Sequence, residues 1–213
     1  MASTTAPSTQ ARRRRGYWLK QLHRWHWISA AISLVGMLLF AITGITLNHA
    51  GAIEASPTVA TRTATLPAEV LRSIAAPPGD RAPLPPALRA WAAGALAVKT
   101  GAAEAEWSES EIYLALPEPG GDAWLSIDRA TGAARYERTT RGWISYLNDL
   151  HKGRNAGAAW AWFIDVFAGA CIVFTLTGLI LLQLHAAHRP STWPLVGAGL
   201  LVPALLALFF IHA

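Results

Sequence analysis

The stretch Trp27-Ile-Ser-Ala-Ala-Ile-Ser-Leu-Val-Gly-Met-Leu-Leu-Phe-Ala-Ile-Thr-Gly-Ile-Thr-Leu47 carries no charged residue. As a helix rising about 1.5 Å per residue it would be roughly 31 Å long, enough to cross the hydrocarbon core of a bilayer. The run is longer than the apolar segment of a secretory signal peptide, about 7 to 15 residues, which favours an uncleaved signal anchor. Two more runs of this kind follow, Ala158 to Leu184 and Trp193 to Ile211, separated by the polar stretch His185 to Thr192. Pro194 suits the first turn of the third helix, and Pro203 within it predicts a kink that neighbouring helices can absorb. An α-helical integral membrane protein with three transmembrane helices is the expectation.

The net charge is +5 on 213 residues, yet the charges are segregated. Six basic residues (Arg12, Arg13, Arg14, Arg15, Lys20, Arg24) and no acid precede Trp27, whereas twelve of the thirteen acids fall between Glu54 and Asp149. Short segments rich in Lys and Arg stay cytoplasmic, so the asymmetry reads as topology rather than as a nucleic-acid tail, and no nucleic-acid partner is expected. The reading places residues 1–26 in the cytoplasm and a first membrane helix at 27–49. Residues 50–157 then lie outside, followed by a second helix at 158–184, a cytoplasmic turn at 185–192 and a third helix at 193–211, all in a bacterial inner membrane. The turn carries Arg189 and no acid, in agreement. Residues 1 to 11 are small and polar and are expected to be disordered. Cys171, the single cysteine, lies in an apolar run, so neither an intrachain disulfide nor a Cys-based metal site is expected.

The external region is not uniform. Up to Pro86 it is rich in Ala, Pro and Thr and reads as irregular, apart from a short helix at Pro67 to Ala75. Pro86 to Lys99 reads as an amphipathic helix with Leu88, Trp91, Ala95 and Val98 near one face. Strand-like runs follow at Ala103 to Ser108, Ile112 to Pro117, Ala123 to Asp128 and Ala134 to Thr139. The last two are joined by Asp128-Arg-Ala-Thr-Gly132, whose Asp and Gly suit a turn. One helix against a small antiparallel sheet is the economical fold for that order.

Several short motifs now fall together: Leu22-His-Arg-Trp25 and Thr43-Gly-Ile-Thr-Leu-Asn-His49 at the two ends of the first helix, and Leu150-His-Lys-Gly-Arg154 before the second. Trp124-Leu-Ser-Ile-Asp-Arg-Ala-Thr-Gly132 and Thr177-Gly-Leu-Ile180 complete the set. The chain resembles the PepSY-associated transmembrane (PepSY_TM) proteins, as a short, three-helix member with a small α+β, PepSY-like external domain. Larger members of that family have four or more helices. Some resemble membrane reductases that pass electrons through b-type haem to ferric siderophores in the periplasm, and isolated PepSY domains are associated with protease inhibition or regulation.

All seven histidines lie at membrane boundaries. His23, His26, His185 and His188 are on the cytoplasmic side, and His49, His151 and His212 on the outer side. Given the resemblance, they are candidate axial ligands of haem b, whose iron takes two neutral imidazoles from opposite faces. His26 and His49 are roughly 35 Å apart along one helix, too far to share a haem. The expected outer pair is His49 with His151 and the cytoplasmic pair His23 with His185, with His26, His188 and His212 as alternates. Each is equally a residue type tolerated at headgroup depth, and an interfacial role is the competing account. Asp165, the one ionisable residue within a span, is a functional candidate by its cost in a bilayer. Arg154 suits either a haem propionate or an interfacial anchor, and Asp149 reads as a surface group. Trp25, Trp27, Trp143, Trp160, Trp162 and Trp193 read as an aromatic belt. Gly36, Gly44, Gly169 and Gly178 allow close approach of a helix or of a macrocycle.

No Gly-rich nucleotide loop, His-Glu-x-x-His motif or Gly-x-Ser-x-Gly elbow is present. Electrons passing through the chain would therefore come from another protein or a quinone. Two functions from different classes follow. One is a haem-binding electron carrier, a component of a membrane-bound ferric-siderophore reductase acting on a ferric chelate, with a homodimer or a partner membrane subunit completing the haem pocket. The other is a non-catalytic anchor in the lipid bilayer whose PepSY-like domain binds or regulates a partner protein.

Overall fold

Long uncharged runs with nothing to break them extend as helices until a capping residue or a turn intervenes, and the chain follows that rule. A computed structural model describes residues 9–54, 56–74 and 79–211. Its elements in order are α1 (Thr9–Asn48), β1 (Thr58–Thr65), α2 (Ala68–Ser73), β2 (Arg81–Pro83), α3 (Pro86–Ala95), β3 (Glu104–Trp107), β4 (Glu111–Ala115), β5 (Gly121–Asp128) and β6 (Ala133–Thr140). There follow α4 (Trp143–Lys152), α5 (Gly157–His185), a 3₁₀ turn at Ala186–His188, and α6 (Thr192–Phe210). Three helices, α1, α5 with its following turn, and α6, are long and apolar enough to cross a membrane. Two units result. The helical unit takes α1 as far as Leu39 and the chain from Ile164 onward, and the sheet unit takes Phe40–Phe163.

In the helical unit, α1 begins well before the uncharged run. Residues 9 to 11, expected to be disordered with the rest of 1 to 11, are helical, because arginine is a good helix former and the run Arg12 to Arg15 offsets the single Gly16; residues 1 to 8 lie outside the described residues. Gly36 on α1 faces the Phe167 ring so closely that a Cβ would lie 2.4 Å from Phe167 Cε2. α6 runs unbroken through Pro203.

The sheet unit is built on a six-stranded antiparallel sheet of order β1-β6-β5-β4-β3-β2. Alternation along β5 sends Ala123, Leu125 and Ile127 to one face. There Leu125 and Ile127 join Ile112 and Leu114 of β4 and Leu88 and Ala92 of α3 in a single core. Four expected strands are present as β3 to β6. The region expected to be irregular holds two more, because β1 (Thr-Val-Ala-Thr-Arg-Thr-Ala-Thr) is an exposed edge strand. It forms by pairing with β6 from Thr58↔Thr140 to Thr65↔Ala133 and buries almost no apolar side chain that would show as alternation. β2 is a three-residue edge whose Pro83 is tolerated because no further strand needs its donor.

The β5–β6 turn is held by Asp128, whose Oδ1 accepts the Thr131 N–H (2.7 Å), the Thr131 hydroxyl (2.8 Å) and the Ala130 N–H (3.0 Å). These bonds, the Thr131 N–H first, hold the Asp128 carboxyl below its ordinary value. The turn's contribution is therefore complete above the usual carboxylate range and is lost as pH falls through the lowered value. α4, not anticipated as a separate helix, packs on the β4–β5 turn. Gly120 (φ +71°) comes so near it that a Cβ would lie 2.6 Å from Tyr146 Cα. Asp149 is not a surface group: its side chain is 4% exposed, accepts the Gly120 N–H at 2.8 Å and pairs with Arg154 at 2.7 Å.

α3 stops at Ala95, four residues before the expected end. The Val98 N–H returns to the Ala92 carbonyl at 3.2 Å, and Ala97 takes the left-handed conformation (φ 52°) that glycine usually fills at a helix C-terminus. The Ala97→Gly substitution is expected to stabilise the sheet unit by roughly 0.5–1 kcal/mol, net of glycine's entropy cost. The thermal midpoint of the detergent-purified chain should rise, and an unchanged or lower midpoint would contradict the assignment.

Candidate functional site

Residues three and four apart share a helix face, so Phe40, Thr43 and Gly44 of α1 form one patch. His151, in the last turn of α4, lies against that patch, and the helix ends just beyond it at Gly153 in a left-handed cap. The Thr43 hydroxyl donates its proton to the Phe40 carbonyl at 3.1 Å. With its one proton given there, the hydroxyl accepts from His151 Nδ1, 2.8 Å away. The Phe40 ring flanks the imidazole at 5.0 Å between centroids. Gly44 leaves the floor open, since a Cβ there would sit 3.5 Å from His151 Cε1. One turn earlier on α4, Asn148 Oδ1 accepts the Thr46 hydroxyl at 2.8 Å.

The helical unit repeats the arrangement with other residues. Phe174, Thr177 and Gly178 share a face of α5 and receive His26 of α1. Thr177 gives its proton to the carbonyl of Val173 (2.7 Å) or Phe174 (3.0 Å), and so accepts from His26 Nδ1 at 3.0 Å. The Phe174 ring stacks on the imidazole at 4.8 Å and 16°. A Cβ on Gly178 would lie 3.3 Å from His26 Cε1. Both slots are cut by one pattern, Phe-x-x-Thr-Gly, at 40–44 and 174–178. The Thr-Gly pairs stood out in the sequence as the openings of two motifs; Phe40 and Phe174 did not, and the repeat of the pattern was the signal that would have found them.

His23 on α1, His49 just past its end and His185 on α5 are held differently and to the same effect. Nδ1 of His23, His49 and His185 bonds the carbonyl four residues back, at 2.8, 3.0 and 2.7 Å. A carbonyl only accepts, so Nδ1 again carries the proton. In all five rings Nδ1 faces an oxygen that accepts, an arrangement that leaves the lone pair on Nε2 when the ring is neutral. Metal-ligating histidines have this arrangement, one nitrogen tied to an acceptor and the other free to coordinate.

His26, Gly178, His185, His188 and Arg189 line one cavity of about 490 Å³ in the helical unit. His185 of the expected cytoplasmic pair is there, whereas His23 is exposed on α1 and is not part of the lining. His151 occupies its slot and His49 is exposed. His212 lies outside the described residues. Arg154 is engaged with Asp149. Asp165 is exposed on α5.

A bare transition-metal site needs three or four protein ligands, and among the described residues no group of three or more His, Cys, Asp or Glu is gathered in that way. A haem iron asks the protein for only two, because the macrocycle supplies the rest. The slots predict that Thr43→Val or Thr177→Val, which keep shape and remove the acceptor, each cost about 1–3 kcal/mol by stranding a ring N–H. Serine at either position should restore most of the loss, with thermal unfolding of the purified chain as the measurement; equal effects of Val and Ser would contradict the hydrogen-bond account.

Residues 17–212 match the family described as "Putative PepSY_TM-like". No curated protein and no solved structure matches the chain. The matched span takes in both Phe-x-x-Thr-Gly slots, all three long apolar helices and the sheet. The chain is a multi-pass membrane protein and belongs to the PepSY_TM-like family.

Proposed function

We propose that the chain is a b-type haem-binding electron carrier of the bacterial inner membrane. It would pass electrons towards a periplasmic acceptor such as a ferric siderophore, as a component of a membrane-bound reductase. The observation that carries the reading is the cavity holding His26, His185 and His188, in which Nδ1 of His26 and of His185 is already hydrogen-bonded to an oxygen and Nε2 is the nitrogen left to coordinate.

These residues fit haem b. Neutral imidazoles add no charge to a low-dielectric site, and Gly178 removes a side chain from beneath the His26 ring. Arg189, on the same lining, offers a guanidinium fork for a propionate, the role Arg154 cannot fill while paired with Asp149. His26 with His185 or His188 is thus favoured over His23 with His185, and at the other boundary His49 and His151 are the candidate ligands. Bound haem would supply a one-electron couple; the chain's own residues set the ring tautomer and hold His26 and His151 against rotation. The N-terminal arginines support a cytoplasmic N-terminus, which puts the sheet unit in the periplasm. A second copy or a partner membrane subunit would complete the pocket, and a quinone or another protein would deliver the electrons.

A second reading, a non-catalytic anchor whose sheet unit binds a partner, is favoured by the sheet face away from the core. There Tyr113 and Trp124 stack at 6.2 Å, with the Arg135 guanidinium 5.6 Å from the Trp124 ring centre. Visible spectra separate the two. Protein purified after expression with haem precursor should show a sharp reduced α-band. His26→Ala and His185→Ala should remove most of the absorbance at that site, and His23→Ala should leave it. A colourless, well-folded protein at full haem supply would overturn the electron-transfer reading and leave the anchor.

A further inference from the structure

A second groove in the helical unit shares Thr177 with the His26 slot but opens on another set of residues. Its volume is about 730 Å³, and its walls include Arg15, Trp18, Leu22 and Trp25 of α1 and Thr177 and Ile180 of α5. Arg15, Trp18, Leu22 and Trp25 follow one another at helical spacing along a single face, so one end of the groove is cationic and the rest is aromatic and aliphatic. From Arg15 to Trp25 the helix rises about 15 Å, and the α5 residues that line the groove with it, Thr177 and Ile180, lie near the C-terminal end of the apolar run 158–184. Trp18 and Trp25 are large apolar side chains left 67% and 56% exposed.

Among the described residues no acid pairs with the charge at the mouth. Arg12 precedes Arg15 by three residues on the same face, Arg13 and Arg14 lie between them, and the first acid in the sequence is Glu54. The ion pairs among the described residues join Arg81, Arg135, Arg138, Arg141 and Arg154 to acids of the sheet unit, and none reaches Arg12 to Arg15.

We propose that this groove is a binding site for one anionic phospholipid, its phosphate on Arg15 and Arg12 and an acyl chain laid along Trp18, Leu22, Trp25 and Ile180. Charge complementarity selects this occupant. A quinone is uncharged and would leave the arginines unanswered, and free phosphate would leave the apolar walls unfilled. Clusters of basic residues beside a membrane helix attract acidic headgroups in the same way. The site does not depend on haem, but a lipid seated against Thr177 would stiffen the helix face that holds His26.

Native mass spectrometry of the full-length, detergent-purified chain tests the proposal, with phosphatidylglycerol and phosphatidylcholine of matched acyl chains as probes. Wild type should retain phosphatidylglycerol with roughly tenfold preference, and the double variant Arg12→Gln/Arg15→Gln should lose that preference while still binding both lipids weakly. Arg15→Lys should keep it, which guards against a folding artefact. Leu22→Trp, which fills the groove, should reduce retention of both lipids. Equal retention of the two lipids by wild type, undiminished preference in the double variant, displacement of the lipid by millimolar inorganic phosphate, or a co-purifying quinone that phosphatidylglycerol does not displace would each overturn it.

Discussion

A threonine hydroxyl has a single proton, and in both slots that proton is spent on a carbonyl of its own helix. The oxygen is left able only to accept, so the histidine facing it gives its Nδ1 proton and, in the neutral ring, keeps the Nε2 lone pair for another use. The orientation of His26 and His151, and the tautomer of each neutral ring, follow from this one allocation. Glycine one residue on and phenylalanine three residues back serve it, the first by clearing room for the ring and the second by walling its side. Because threonine, glycine and phenylalanine meet only at helical spacing, the slots exist only when α1 and α5 are helical through them.

That dependence gives the surrounding architecture its purpose. Helix α4 would be an ordinary amphipathic turn beside a sheet were it not anchored by Asp149, which bonds the backbone at Gly120 and pairs with Arg154. The left-handed cap at Gly153 then ends the helix two residues after His151, so the histidine sits at a fixed place in the last turn. A buried carboxylate that accepts a backbone N–H and holds a guanidinium is difficult to displace, because breaking either contact strands the charge. The sheet core of aliphatic side chains sustains the turn to which Asp149 is tied.

Much of this was legible in the sequence because the strongest signals are the ones a bilayer and a two-sided sheet demand. The uncharged runs gave the three long helices, and alternation in segments such as Ala123 to Asp128 gave the inner strands. β1 left no such trace: an edge strand of threonine and alanine is held by its partner's backbone rather than by burial. The end of α3 was misplaced because alanine at position 97 adopts a conformation that a reader expects of glycine. Asp149 looked like a surface residue because nothing local reveals that Gly120, 29 positions earlier, folds back upon it. Among the histidines the sequence supplied the membrane boundaries but not the partners, since which face of α1 meets α5 depends on packing. His26 therefore ranks behind His23 in the sequence, whereas it is His26 that lines the cavity with His185.

The central claim is that the protein holds His26 and His151 as Nδ1–H tautomers with Nε2 available. Nitrogen-15 NMR of ring-labelled histidine in the haem-free, full-length chain reads this directly, because protonated and unprotonated ring nitrogens resonate far apart, and His26→Gln and His151→Gln variants assign the signals. The account predicts that both neutral rings carry their proton on Nδ1, against the preference of free imidazole side chains in water for Nε2. Signals from either ring with the proton on Nε2, or in the solution mixture of tautomers, would contradict it.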